Sequence, residues 1–415
     1  MARRIAVIGS GISGLVSAHL LSESYDVSLF EANDYIGGHT NTVAVELEDE
    51  RFSIDTGFIV FNKKTYPNFC KLLNTLNVPT QLSEMSFSYR SLSSGFEYNG
   101  HNLNSLFSDR LNLFRLSFYR FIKDIVSFND DAKKFLSKDQ HPDISIKEFL
   151  TSHSYSAKFI DGYLIPMMSA IWSKNKADTL NCSAHFIFKF YENHGLLDIY
   201  NRPPWYVITN GSHSYIPPMI KKFEDKIYLS TKIESITREP KYVVLKSKDN
   251  EFRFDSVVIA THSDQALKLL TKPTDEEIKV LSAIKYTEND VVLHTDDNIM
   301  PRRKRSWASW NYLDDDNSNL ALTYYMNRLQ SIKSSTNFFV SVNLSREIDR
   351  SKVIKSFKYS HPCLDMAAMK AQQQMDLING LNNTYYVGSY LGYGFHEDGV
   401  NSALKTCRLL GAIDV

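Results

Sequence analysis

The chain is poor in cysteine: Cys70, Cys182, Cys363 and Cys407 are the only four in 415 residues, far apart and without a CxxC pair. This argues against a disulfide framework and a structural zinc site, predicts no metal, and suits a reducing compartment. An excess of charge of either sign is also missing. Lys plus Arg and Asp plus Glu both number 47, so no global electrostatic pull on nucleic acid is expected. No stretch approaches about 18 uninterrupted apolar residues, so no transmembrane helix is expected. The apolar strand pattern after Met1-Ala2-Arg3-Arg4 is too short for a signal peptide core. The expected location is therefore cytoplasmic. Internal repeats, low-complexity tracts and Pro- or Ser-rich linkers are absent, so the chain is expected to cross between domains more than once.

Apolar material is plentiful. The composition is 43% hydrophobic, with 25 Phe, 23 Tyr and 4 Trp, enough for a large core and an aromatic cavity. At about 150 residues per domain the length suggests two or three domains.

The N-terminal segment carries the clearest pattern. Ile5-Ala6-Val7-Ile8 is a β-branched run, Gly9-Ser10-Gly11-Ile12-Ser13-Gly14 follows, and Leu15 to Leu21 reads as a helix. Val27 to Phe30 is a second strand ending at Glu31. In a Gly-x-Gly-x-x-Gly turn, Gly9 permits the tight turn, Gly11 lets backbone approach a pyrophosphate, and Gly14 lets helix and strand pack closely. The helix N-terminus offers free N–H groups to phosphate. A carboxylate at Glu31 accepts from both ribose hydroxyls and repels a 2′-phosphate. The segment thus predicts a dinucleotide other than NADP.

Elsewhere, Thr42 to Leu47 and Arg51 to Ile54 read as a hairpin around Glu48-Asp49-Glu50, and Tyr66 to Leu76 as a helix. Leu111, Phe114, Phe118, Phe121, Ile122 and Ile125 recur at helical steps within residues 106 to 137. This helix reads as substrate-domain core, with docking on a membrane as the alternative because arginines are interspersed along it. Residues 145 to 198 read as mainly helical. Tyr228 to Thr237, Tyr242 to Lys246, Phe252 to Ala260, Val291 to His294, Leu320 to Tyr325, Phe338 to Val342 and Tyr385 to Val387 read as strands. A final helix is expected near Gly399.

Glu31-Ala32-Asn33-Asp34-Tyr35-Ile36-Gly37-Gly38-His39-Thr40 resembles the second motif of the flavin amine oxidase and phytoene desaturase superfamily. There a glycine pair lies near the FAD phosphates, with His39 and Thr40 standing here where basic residues often follow. Asp55-Thr56-Gly57-Phe58 resembles the next element, passing near the flavin. Lys232-Ile233 sits where a strand backbone contacts the adenine, and Val257 to Thr261 resembles the strand returning to the nucleotide domain. The stretch from Gly388 through Gly392-Tyr393-Gly394-Phe395-His396-Glu397-Asp398-Gly399-Val400 resembles the closing motif. In relatives that turn faces the pyrimidine edge of the flavin, which would put Glu397 near the ribityl chain or a phosphate.

The resemblance implies an α/β fold with a Rossmann-like FAD-binding domain (1–75, 206–268 and 380–415) and a mixed-sheet and helical substrate domain (76–205 and 269–379). It implies non-covalent FAD, because no cysteine lies near Tyr390 to Tyr393. Asn289 to Asp296, Met300 to Tyr312 and the Gly394 to Gly399 turn narrow the likeness. They resemble bacterial amine-oxidase-like proteins associated with cyclopropane fatty-acyl synthases. This implies hydride removal from a lipid acyl chain, perhaps methyl-branched, to form a double bond. One departure stands out: Glu288-Asn289-Asp290 occupies the strand where amine oxidases carry a lysine near flavin N5, and the nearest lysine is Lys285. Amine or polyamine oxidation is the alternative, and a non-catalytic lipid-binding protein of the same fold a third. Substrate identity, electron acceptor and oligomeric state stay open.

Among His39, His294, His361 and His396, the last is the favoured acid–base group because it lies within the flavin-facing turn. Tyr312, Tyr324 and Tyr390 line an apolar tunnel or serve as core. Arg302, Arg303 and Arg305, with Lys304, form either a solvated basic loop or a site for anionic headgroups, which would add peripheral membrane contact.

Overall fold

The computed structural model describes residues 3–47, 49–138, 142–172, 175–200, 202–315, 321–344 and 346–412. Glu48 of the predicted hairpin turn, Ser173 and Lys174 of the predicted helical region, and Leu320 of a predicted strand lie outside the described residues.

A five-stranded sheet runs in the order Ile227–Tyr228, Asp26–Phe30, Arg4–Ile8, Ser256–Ile259, Thr384–Tyr386. Every pair in it is parallel, with Ile5 beside both Val27 and Ser256. Residues 5 to 8 are buried on both faces, as β-branched runs in parallel sheets are. The helices Ile12–Leu21 and His396–Leu409 pack against each other beside this sheet.

A seven-stranded mixed sheet runs Val353–Cys363, Lys285–His294, Phe339–Val342, Leu322–Tyr325, Trp310–Asp314, Phe87–Ser91, Glu97–Asn99. Its one parallel pair joins Trp310–Asp314 to Phe87–Ser91. The helices Leu116–Leu136, Ile165–Trp172 and Ala184–Asn193 contribute to a second core. There Phe118, Phe121, Phe128, Phe159 and Phe188 are wholly buried. Their rings meet at 5.4–5.7 Å, partly edge to face, a geometry that adds to the area they bury.

Three sequence expectations change. The predicted helix over 106 to 137 breaks: Arg110–Phe114 is a 3-10 turn, Arg115 is extended, and the α-helix runs Leu116–Leu136. Phe118 and Phe121 are core, whereas Leu111, Phe114 and Leu116 are exposed. Phe252 to Ala260 divides between two sheets, because the Asp255 N–H donates to Arg4 O and its carboxylate accepts from the Arg4 N–H. Tyr228 to Thr237 also divides: Ser230 takes φ +50 and donates to Asn33 O before a new strand opens at Ile233.

Candidate active site

The parallel strands all end at one edge, where ligands bind in open α/β sheets. Gly9 follows with φ +99, and its N–H donates to Phe30 O at 2.8 Å. A Cβ on Gly14 would stand 1.9 Å from Gly9 O, so helix and turn touch there with no room for a side chain. Gly11 is the opposite case: a Cβ would meet nothing within 4 Å. Its open face adjoins the N-terminus of Ile12–Leu21, whose unpaired N–H groups and partial positive charge suit a pyrophosphate.

Ser10 joins three segments. Its N–H and hydroxyl donate to Glu31 Oε2 at 2.9 and 2.5 Å, and its Oγ accepts from Gly37 N at 3.1 Å. Ala32 is exposed beside the buried Glu31. Thr231 N donates to Glu31 O, which brings the start of the Ile233 strand to the ribose end of the groove. Gly38, at φ +59, lies so close to Gly11 that its Cβ would be 3.1 Å from that Cα. A Cβ on Gly57 would meet His39 O at 2.3 Å, and Phe58 N donates to the same oxygen. From the C-terminal end, Gly399 abuts Ile12 and Ser13, Val400 is buried beneath, and Gly388 N donates to Ser402 Oγ.

The closing turn holds a half-buried carboxyl, Asp398, and a buried one, Glu397. Asp398 accepts from Phe395 N at 2.9 Å, and burial pushes it up to about 6. Glu397 reaches a neighbouring helix. Its oxygens accept from Asn68 N and Phe69 N at 3.0 and 2.9 Å, capping the helix Pro67–Thr75. The reason is local: those first-turn N–H groups lack a carbonyl within their own helix. The cap uses one acceptor position on each carboxylate oxygen.

His396 is locked in place. Its ring stacks on Phe58 at 3.4 Å and 14°, and Nε2 lies 3.1 Å from Thr40 Oγ1 and 3.4 Å from Tyr215 OH. Burial lowers its pKa to about 3, so it is neutral. His39 tilts against Tyr359 at 4.8 Å and His361 at 5.4 Å. Its Nε2 is buried with no partner among the described residues. Desolvation, then His361, His262 and His396, hold its pKa well below the usual value, although the residue as a whole is only half-buried. His361, brought down to about 4 by burial, meets Asn289 Nδ2 through Nδ1 at 3.3 Å. Tyr359 OH bonds Thr56 Oγ1 at 3.0 Å. Asp55 accepts from Thr42, Ser212 and Gln330, and burial raises it to about 6.

These residues fit FAD. Gly11 leaves space for a pyrophosphate, Glu31 stands at the ribose position, and the Gly37–Gly38 turn packs on Gly11. The family model for flavin-containing amine oxidoreductases matches residues 12–348. The chain belongs to this family. It is an FAD-dependent oxidoreductase, and the flavin amine oxidase fold expected from sequence is the one found. Putrescine oxidase bound to putrescine superposes with a TM-score of 0.70 at 14% identity, covering 100% of both chains. A conjugated-linoleic-acid-producing fatty acid isomerase from P. acnes gives 0.69 at 16% identity over 98% of both. Cyclohexylamine oxidase from Brevibacterium oxydans gives 0.68 at 12% over 99% of both.

Within this flavoprotein fold the predicted residues fall into two groups. Gly9 to Gly14, Glu31, Gly37 to Thr40, Thr56 to Phe58, Ile233, Gly388, Gly399 and Val400 gather around one groove. Tyr390 lies next to it, its ring against Gly388 and its OH buried without a partner among the described residues. Tyr312 stands apart on the mixed sheet, stacked on Tyr89 at 6.1 Å and touching both the helical and the sheet cores. Arg302, Arg303 and Arg305 are on the surface. Sequence reasoning missed Tyr359, Tyr215 and Ser212. Tyr359 had a signal, since Phe357, Tyr359 and His361 alternate along one strand. Ser212 and Tyr215 had none that spacing reveals.

Proposed function

We propose that this oxidoreductase removes a hydride from an apolar C–H donor, a lipid acyl chain, and leaves a carbon–carbon double bond. The observation that carries this reading is the uncharged wall beside the groove. Asn289 points inward where an amine oxidase carries lysine, while Glu288 and Asp290 turn out to Lys358, and Lys285 is exposed. His39, His262 and His361 are held neutral by burial. Neutral imidazoles, an amide and phenols suit hydrocarbon, and the nearby Asp55 carboxyl is taken up by Thr42, Ser212 and Gln330. Similarity to a fatty acid isomerase supports the same substrate class.

Bound FAD supplies the two-electron acceptor for the hydride. The chain's own residues orient the donor and manage the proton. The carbon next to the one oxidised gives up its proton to a base, and His39 Nε2 is the unpaired basic atom for that step. Tyr390 OH, also without a partner among the described residues, orients the chain's polar end, and Tyr312 stands farther off, in a row of rings on the mixed sheet. His396 holds Thr40 and Phe58 in position.

The test is anaerobic mixing of the purified holoprotein with phospholipids bearing methyl-branched or straight chains, and separately with an amine panel. Loss of flavin absorbance with a lipid and with none of the amines is expected. Bleaching by putrescine or another amine, with every lipid inert, overturns the lipid reading in favour of amine oxidation.

A further inference from the structure

The largest apolar side chains left in solvent are concentrated in one short stretch. Phe114 and Leu116 are each 86% exposed, and Leu103, Leu111, Leu113 and Tyr119 stand out around them. Clustering of this kind is unusual on a folded surface, where single exposed hydrophobics are the norm. The backbone beneath is firmly held. Asn102 and Ser105 form a reciprocal cap, Asn112 and Phe118 are wholly buried, and Phe107 meets Phe118 edge to face at 5.1 Å. Tyr119 OH donates to Leu113 O, and Arg115 donates to Asn112 Oδ1.

The same face is basic. Arg110, Arg115 and Arg120 are exposed among the apolar tips. The loop Arg302-Arg303-Lys304-Arg305, all exposed, is fixed beside them by the Ser306–Ser108 hydroxyl bond at 2.8 Å and the Arg303–Asp109 ion pair at 3.5 Å. The nearby carboxylates are already paired: Glu97 is buried against Arg303, and Asp109 holds Arg115 and Arg303. In a chain with zero formal net charge, this is a segregated cationic rim around a hydrophobic centre.

We propose that this face, with Phe114 and Leu116 at its tip, docks on the surface of an anionic phospholipid bilayer. The interface of such a bilayer takes aliphatic and aromatic side chains at its acyl boundary and guanidinium groups among its headgroups. A second copy of the chain is a poorer occupant, because two cationic rims would face each other across a two-fold contact. No helix among the described residues is long and apolar enough to cross the membrane, so the contact is peripheral. Behind the face, Phe118, Phe96, Tyr89 and Tyr312 form a continuous row of ring contacts. Only the idea that an acyl chain passes along this row rests on the lipid substrate reading.

The experiment is sedimentation of the purified full-length holoprotein with phosphatidylcholine vesicles, with and without phosphatidylglycerol, at low and high salt. The chain should sediment with the phosphatidylglycerol vesicles and release as salt rises. Phe114→Ser with Leu116→Ser, and separately Arg302→Ser with Arg305→Ser, should each weaken binding by about tenfold or more. All variants should keep the wild-type flavin absorbance and unfolding midpoint. Failure to sediment, binding equal with and without phosphatidylglycerol, or variants that bind like wild type would each overturn the proposal. So would a wild-type dimer that Phe114→Ser dissociates, since the face would then be a contact between copies. Binding is read without turnover, so its failure leaves the redox reading untouched.

Discussion

Among the described residues, seven histidines have pKa values drawn below the ordinary 6.5, each mainly by desolvation. His194, His294 and His361 come down to about 4 and His396 to about 3, with His39, His213 and His262 shifted the same way. The unfolded chain takes up these protons near pH 6.5, whereas the folded chain waits until lower pH. Between the two values the unfolded state binds more protons, so stability falls as pH falls. Asp55 and Asp398, raised to about 6, and Glu397, raised by burial, act oppositely and favour the fold as they protonate. The histidines outnumber them. The unfolding midpoint should therefore drop between pH 7 and pH 5. His396→Phe keeps a ring on Phe58 and leaves Thr40 and Tyr215 bonded to each other. It should flatten part of that acid slope in thermal unfolding followed by circular dichroism. A slope identical to wild type would mean that His396 takes its proton at an ordinary pH.

At the scale of elements, Glu397 belongs to one helix and serves another. Removing its carboxylate leaves Asn68 and Phe69 N–H groups without their acceptors, a loss of about 1–2 kcal/mol. Glu397→Ala should lower the urea midpoint at constant m-value while the protein keeps its FAD. Preferential loss of FAD with unchanged stability would mean that the carboxylate acts on the cofactor, as the sequence suggested, rather than as a cap. Such partners explain what was legible beforehand. The turn from Gly9 to Gly14, Glu31 and the Gly37–Gly38 pair could be read because local backbone sterics dictate them. The hairpin at Thr42 and the strand at Phe339 announced themselves by composition. The break at Arg115 did not, because the apolar period runs through it while the solvent-facing residues change role from core to surface. The strand Val353–Cys363 was missed because it edges the sheet, with lysines at 355 and 358 in solvent. Which side chain Glu397 meets depends on a helix more than 300 residues away.

The whole molecule is joined where its ends meet. The parallel sheet takes strands from residues 4–30, 227–259 and 384–386, and the groove above it draws on all three segments. A cofactor lying there binds only the assembled fold, so it stabilises by linkage, about 2.7 kcal/mol when free FAD is 100-fold above its dissociation constant. Two glycines separate assembly from binding. Gly14→Ala drives a methyl into Gly9 O and should destabilise even the flavin-free protein by about 3 kcal/mol, the upper part of the overpacking range. Gly11 already has an extended backbone with negative φ and open space around its Cβ position. Gly11→Ala should therefore fold like wild type without flavin, yet lose most of the stabilisation that added FAD gives. Denaturant titrations with and without FAD read both effects at once. If Gly11→Ala still gains the full increment from FAD, the pyrophosphate does not lie against this turn, and the groove must bind its cofactor in another place.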